Sequence, residues 1–174
     1  MKYNMTILKK SIGMLALVWG IPSSMVAQNQ GSHLMIAMGG AYPRTLESTI
    51  SYEKEMLYHN AWEYFVTYSI QYDEDPEAKH ITRKSFWHNH NTWGVGAVYK
   101  PCVGRGRNHH GSLRIGASAG SDFNKAIGAV HAGYEHTYNL YDGWSVFFAI
   151  KEDISIRGKD RFKTGFNLGV KIPL

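Results

Sequence analysis

From Trp62 to Tyr72 the chain alternates without a break. Trp62, Tyr64, Val66, Tyr68, Ile70 and Tyr72 fall on one side, and Glu63, Phe65, Thr67, Ser69 and Gln71 on the other. Successive side chains of a strand point to opposite faces, so this segment predicts a strand with one aromatic or aliphatic face and one mostly polar face. The pattern recurs from Trp144 to Asp153, where Trp144, Val146, Phe148 and Ile150 oppose Ser145, Phe147, Ala149, Lys151 and Asp153. It recurs again from Phe162 to Leu174, where Phe162, Phe166, Leu168, Val170, Ile172 and Leu174 are interleaved with Lys163, Gly165, Asn167, Gly169 and Lys171. Weaker copies at 34–40, 49–58, 92–99, 113–120 and 129–136 bring the expectation to eight strands. No helix of useful length shows apolar spacing of three and four. His59-Asn60-Ala61 and Asn139-Leu140-Tyr141-Asp142-Gly143 read as compact turns, with Asn and Asp-Gly where positive φ is needed. The Gly- and Arg-rich 101–111 stretch is too long for a simple turn, and 73–84 reads as a longer acidic loop.

The first 27 residues follow a different logic. Lys2, Lys9 and Lys10 precede the apolar run from Ile12 to Ile21, and Val26-Ala27 precede Gln28, the order of a secretory signal. About ten apolar residues are too few to cross a bilayer of about 30 Å as a helix. The expected organisation is therefore a signal peptide over 1–27 and one domain over 28–174. The formal charge of +5 suggests nucleic acid at first sight, but without the three signal lysines 16 basic residues face 14 acidic ones. Direct nucleic-acid binding loses its electrostatic basis. The single Cys102 makes no internal disulfide, and no Cys follows the apolar run where a lipoprotein would need one.

Eight alternating strands can close with the apolar face inward, as a soluble barrel, or outward, as a transmembrane barrel. The faces decide. Glu63, Arg114, Glu135, Lys151, Asp153 and Lys163 share the side that carries many glycines and serines, giving a narrow polar interior in which opposite charges can pair. A soluble core would bury Trp62, Tyr64, Tyr68, Tyr72 and Trp144 together and need partners for their polar atoms, whereas Tyr and Trp are at home at a membrane interface. With both termini in the periplasm, Tyr58, Trp62, Tyr99, Tyr138 and Trp144 fall at one level as a periplasmic girdle; Tyr42, Tyr72, Trp87, Trp93 and Phe123 supply the opposite rim. The expected fold is all-β: an eight-stranded antiparallel up-and-down transmembrane barrel. Lys54, among Ile50, Tyr52, Met56 and Tyr58 on the lipid side, fits badly and requires either a snorkelling side chain or a bulge that shifts the phase.

Chemistry is sparse in this reading. His88 and His90 share a strand face but lack a third metal ligand, and His109-His110 would point apart in extended chain. Ser85 with His88 and Asp73 has the residue types of a hydrolase triad without an identifiable nucleophile motif or oxyanion donor. Gly104-Arg105-Gly106-Arg107 reads as a solvated turn. The lumen charges are expected to form a structural plug, because an eight-stranded barrel is just wide enough for its own side chains. No enzyme, cofactor or metal is expected.

Several segments carry a family likeness. The signal segment, Trp93-Gly94-Val95-Gly96, Ala132-Gly133-Tyr134-Glu135, Leu140-Tyr141-Asp142-Gly143 and the closing Gly165-Phe166-Asn167-Leu168-Gly169-Val170-Lys171 together resemble TraO-type conjugal transfer proteins of bacterial conjugative transposons. The likeness runs over most of 28–174. It implies a structural or assembly component of a DNA-transfer apparatus in the outer membrane of a Gram-negative bacterium. Its expected partners are outer-membrane lipid and other conjugation or envelope proteins. An outer-membrane barrel for adhesion, envelope integrity or stress response is the first alternative, ahead of an outer-leaflet lipid-modifying enzyme and a soluble ligand-binding barrel.

Overall fold

The computed structural model describes residues 31–72, 90–122, 124–156, 158 and 160–174. The 1–27 segment lies outside them. Nine antiparallel strands form the sheet: β1 Ser32–Tyr42, β2 Thr45–Glu55, β3 Ala61–Gln71, β4 His90–Lys100, β5 Cys102–Arg105, β6 His109–Ser121, β7 Ala126–Asn139, β8 Ser145–Ile156 and β9 Phe162–Pro173. Apart from β4 and β5, each pairs with its sequence neighbour; β1 also pairs with β9, and β4 with β6, so the sheet closes on itself. β5 is the short continuation of β4 beyond Pro101, which has no N–H to give a ladder. β4 and β5 thus make one stave, and the barrel has eight.

The 101–111 stretch, longer than a turn should be, is explained by this extension. Cys102 to Arg105 pair with His110 to Ser112 across a bulge, and the Cys102 N–H donates to Asn60 Oδ1 at 2.9 Å. The expected strand over 49–58 needs a correction at both ends. β2 starts at Thr45 and stops at Glu55, and Leu57–His59 form a single 3-10 turn in which Tyr58 and His59 take positive φ. Alternation in the sequence continues through this turn and hides it. At the 140–144 turn, Asp142 and Gly143 take φ of 57° and 78°, the left-handed pair that a tight hairpin needs.

The register is continuous from β1 through β3, with Ser32 opposite Lys54 and Lys54 opposite Trp62. No bulge shifts the phase of β2. Lys54 therefore stays in the outward phase, at the barrel end where β1 begins and β9 ends, here termed the terminal end. The other end, where β1, β3, β6 and β8 finish, is termed the loop end.

Side-chain burial is inverted relative to a soluble barrel. Along β3 and β8, Trp62, Tyr64, Val66, Tyr68, Val146, Phe148 and Ile150 are exposed, while Glu63, Ser69, Gln71 and Asp153 are buried. Among the described residues sixteen buried side chains are polar or charged against seven apolar ones, so the interior is not a hydrophobic core. Two inward glycines set how closely the staves pack. A Cβ on Gly96 would stand 2.6 Å from Phe65 Cζ, and one on Gly169 2.6 Å from Phe147, so each glycine is the space that an inward ring occupies.

Candidate functional site

The charged side chains converge in the lumen in two layers. The layer nearer the terminal end takes Glu53 from β2, Glu63 from β3, Lys100 from β4, Arg114 from β6, Glu135 from β7 and Lys171 from β9. Each sits on the inward parity of its strand. Lys100 is 1% exposed, and its Nζ lies 2.5 Å from Glu53, 2.7 Å from Glu63 and 2.8 Å from Glu135. Arg114 Nη1 lies 2.9 Å from Glu63 and also pairs with Glu135. Lys171 Nζ lies 2.7 Å from Glu53 and 2.8 Å from Glu135. Three carboxylates thus meet three cations, and every carboxylate touches at least two of them. A lone buried charge would be prohibitive, so balance and multiple contact are the conditions under which this layer can exist. Lys100 and Lys171 also stand over the Phe147 ring, 5.9 and 5.6 Å from its centroid. Phe147 packs with Met35, Ala37 and Ala149 into a small apolar layer that separates the two charge layers on that side.

The second layer lies toward the loop end. Lys151 pairs with Glu47 and, at 3.1 Å, with Asp153 Oδ2. Asp153 Oδ1 is 2.6 Å from His131 Nδ1, and His131 Nε2 is 2.7 Å from Ser118 Oγ. The edge of His131 meets Phe65 at 5.4 Å between centroids and 80° between planes. These residues line a cavity of about 120 Å³ that extends to Thr45, Gln71, Asp122 and Gly158 at the loop end.

The structure places Glu63, Arg114 and Glu135 in the balanced layer, and Lys151 and Asp153 in the second. Lys163 lines the same cavity, opposite Asp153 in the β8–β9 register. Sequence reasoning did not single out Glu47, Glu53, Lys100, Lys171, Ser118 or His131 as site residues. Parity was the available signal: Lys100 follows the outward Tyr99, and His131 shares its phase with Glu135. Of the aromatic set, Trp62, Tyr138 and Trp144 are exposed on the outer face, and the Trp62 and Tyr99 rings are 5.1 Å apart. Tyr58 differs from the other four. It lies in the 3-10 turn, 70% exposed, with the Arg105 guanidinium 5.4 Å from its ring centroid. Of the opposite rim, Tyr42 is exposed at the end of β1, Trp93 lies on β4 and Tyr72 follows β3. Trp87 and Phe123 lie outside the described residues.

His109 and His110 point to opposite faces, His109 toward His136 at 5.2 Å and His110 stacked on His59 at 4.9 Å. Among the described residues no group of three His, Cys, Asp or Glu side chains is placed to hold a metal ion. Asp73, Ser85 and His88 lie outside the described residues, as does the side chain of His90.

With this geometry in hand, the comparisons with known proteins bear on the fold. No protein-family model matches the chain, and no curated protein matches it. Among solved structures, the chain is similar to a major outer membrane protein from Thermus thermophilus, with a TM-score of 0.53 and 10% identity over 82% of this chain and 99% of that one. It is similar to the Yersinia pestis outer membrane protein Ail in a phospholipid bilayer nanodisc, with a TM-score of 0.50 and 11% identity over 83% and 100% of the two chains. A de novo designed transmembrane β-barrel gives a TM-score of 0.51 and 10% identity over 85% and 100%. What is shared is the fold. It is that of small outer-membrane barrels.

Proposed function

We propose that this chain is an outer-membrane β-barrel with a closed, self-plugged lumen, acting as an envelope component of a conjugative DNA-transfer apparatus. The observation that carries the membrane part is the inverted polarity: an aromatic and aliphatic outer surface around an interior of paired charges. Eleven residues of β3 at about 3.4 Å each, tilted by about 40°, span roughly 28 Å, which matches an apolar band about 25 Å tall with its flanking aromatics. Balanced charges across the lumen support a plug rather than a pore, since a conducting path would need water where Lys100 and Arg114 now bind carboxylates. The conjugation part rests on the segments that resemble TraO-type proteins and on nothing in the barrel itself.

Two measurements separate these parts. Fractionation should recover the protein from the outer membrane, with a gel mobility that shifts only after heating; release into the periplasmic fraction without detergent would refute the membrane reading. An in-frame deletion in a donor strain should lower transfer frequency at least about tenfold, with restoration by the gene supplied in trans. Unchanged transfer in a strain that becomes detergent-sensitive would replace the conjugation role with one in envelope integrity.

A further inference from the structure

We propose that Ser118, His131 and Asp153 form a nucleophilic acyl-accepting site in the loop-end half of the lumen, open to short-chain activated esters. The three residues stand on adjacent strands, β6, β7 and β8, and every link is a hydrogen bond: Ser118 Oγ to His131 Nε2 at 2.7 Å, and His131 Nδ1 to Asp153 Oδ1 at 2.6 Å. An ionised carboxylate only accepts, so the neutral imidazole carries its proton on Nδ1 and offers the Nε2 lone pair to the serine hydroxyl. That is the tautomer a general base requires. The second Asp153 oxygen is held by Lys151, which also pairs with Glu47, so the carboxylate cannot swing away. Glu47, Lys151 and Asp153 sum to one negative charge, which the imidazolium offsets when His131 takes the serine proton.

The loop-end cavity reaches the relay. Gly116 and Gly120 flank Ser118 on its face and let the β4 backbone come close, and the cavity runs past Ser118, Gly120 and Gly94. At about 120 Å³ it holds several waters by the measure of about 10 to 15 Å³ per water, or an acyl group of a few carbons. His131 and Asp153 retain 13% and 11% side-chain exposure, so solvent reaches the relay. Lys163 and Asp122 line the same cavity and, with Glu47, Glu63, Lys151, Asp153 and Arg114, make its charged wall.

The step balances without a further reagent. Ser118 Oγ attacks the ester carbonyl, its proton passes to His131 Nε2, and the C–O bond to the leaving group breaks. The alcohol departs with that proton, leaving an acyl ester on Ser118 that water can later hydrolyse. The Ser118 backbone is paired on both sides, with Gly96 of β4 and Ala129 of β7. Its amide is thus committed to the sheet and does not serve as an oxyanion donor, so both acylation and hydrolysis of the acyl-serine go without that stabilisation, and the site is expected to react only with activated esters and to release the acyl group slowly.

The test is covalent labelling of the whole barrel, refolded in detergent, with p-nitrophenyl acetate followed by peptide mass spectrometry. One acetyl group on the peptide containing Ser118 is expected, absent in Ser118→Ala and absent from urea-unfolded protein. His131→Gln should slow labelling by about 10²-fold or more, the usual contribution of a general base. Asp153, as a positioning residue, should slow it in Asp153→Asn and restore part of it in Asp153→Glu, at unchanged heat-modifiable mobility. Acetylation confined to lysines with Ser118 unmodified, or an unchanged Ser118 rate in well-folded His131→Gln, would overturn the proposal.

Discussion

Replacing Lys100 with methionine keeps the length and bulk of the side chain and removes one charge from the balanced layer of the lumen. Glu53, Glu63 and Glu135 would then face only Arg114 and Lys171, each of the three having lost a contact of 2.8 Å or shorter. Removing one partner from a buried ion-pair network costs about 3–5 kcal/mol, because the remaining charge stays buried without compensation. An independent bound comes from protonation. The lumen can restore balance by taking up one proton, and at pH 7 protonating a carboxyl of ordinary pKa about 4.3 costs about 3.7 kcal/mol, at about 1.36 kcal/mol per pH unit. The two figures agree, and the second adds a pH signature. A variant that binds a proton on folding is stabilised, relative to the wild type, as pH falls, so the deficit should shrink to about 1 kcal/mol near pH 5. The assay is urea unfolding in detergent or lipid vesicles at the two pH values, followed by tryptophan fluorescence and heat-modifiable mobility. Lys100→Met combined with Glu63→Gln returns the layer to neutrality and should recover about half of the loss or more, as coupling within one charged network requires. A single-variant deficit below about 1 kcal/mol, or a double variant no more stable than the single one, would refute the view that charge balance holds the lumen together.

Ile150, at the centre of the outward face of β8 and 49% exposed, should tolerate leucine but lose about 2–4 kcal/mol as arginine, measured by unfolding in lipid vesicles. Gly143→Ala should destabilise the 140–144 hairpin by about 1 kcal/mol in the same assay, because φ is +78° there and a Cβ would also meet Pro173 at 3.2 Å. Gly96→Val should cost about 1–3 kcal/mol or prevent folding, read from the heat-modifiable fraction, since the added carbons fall on Phe65 and on the Ala117 carbonyl. At the 122–125 turn the Asp122 carboxylate accepts from the Lys125 and Asn124 N–H groups at 2.6 and 3.0 Å, which holds its pKa below the ordinary value. The turn should therefore be fully formed above the ordinary carboxylate range and loosen as pH falls through the depressed value, seen as faster amide exchange at Asn124 and Lys125.

The alternation from Trp62 to Tyr72, from Trp144 to Asp153 and from Phe162 to Leu174, with its five weaker copies, determined strand identity, the number of staves and which residues share a face. It did so because side-chain parity along a strand is a local property, fixed by the backbone without reference to any partner. The polar set shared by Glu63, Arg114, Glu135, Lys151 and Asp153 determined the inverted polarity for the same reason. Only the tertiary structure decided how those charges sort. Lys100, Glu53 and Lys171 are neighbours because β2, β4, β7 and β9 face one another across a closed lumen, and contacts between residues as far apart as Glu53 and Lys171 leave no periodic trace. The turn at Leu57–His59 escaped because Met56 and Tyr58 continue the alternation after the strand has ended, and the β5 continuation of the strand expected over 92–99 escaped because Pro101 and the bulge at Cys102 break the pattern. Ser118, His131 and Asp153 each carried the right parity in the sequence. Their alignment needed the register of three strands, and register is set by side-chain packing across the whole barrel.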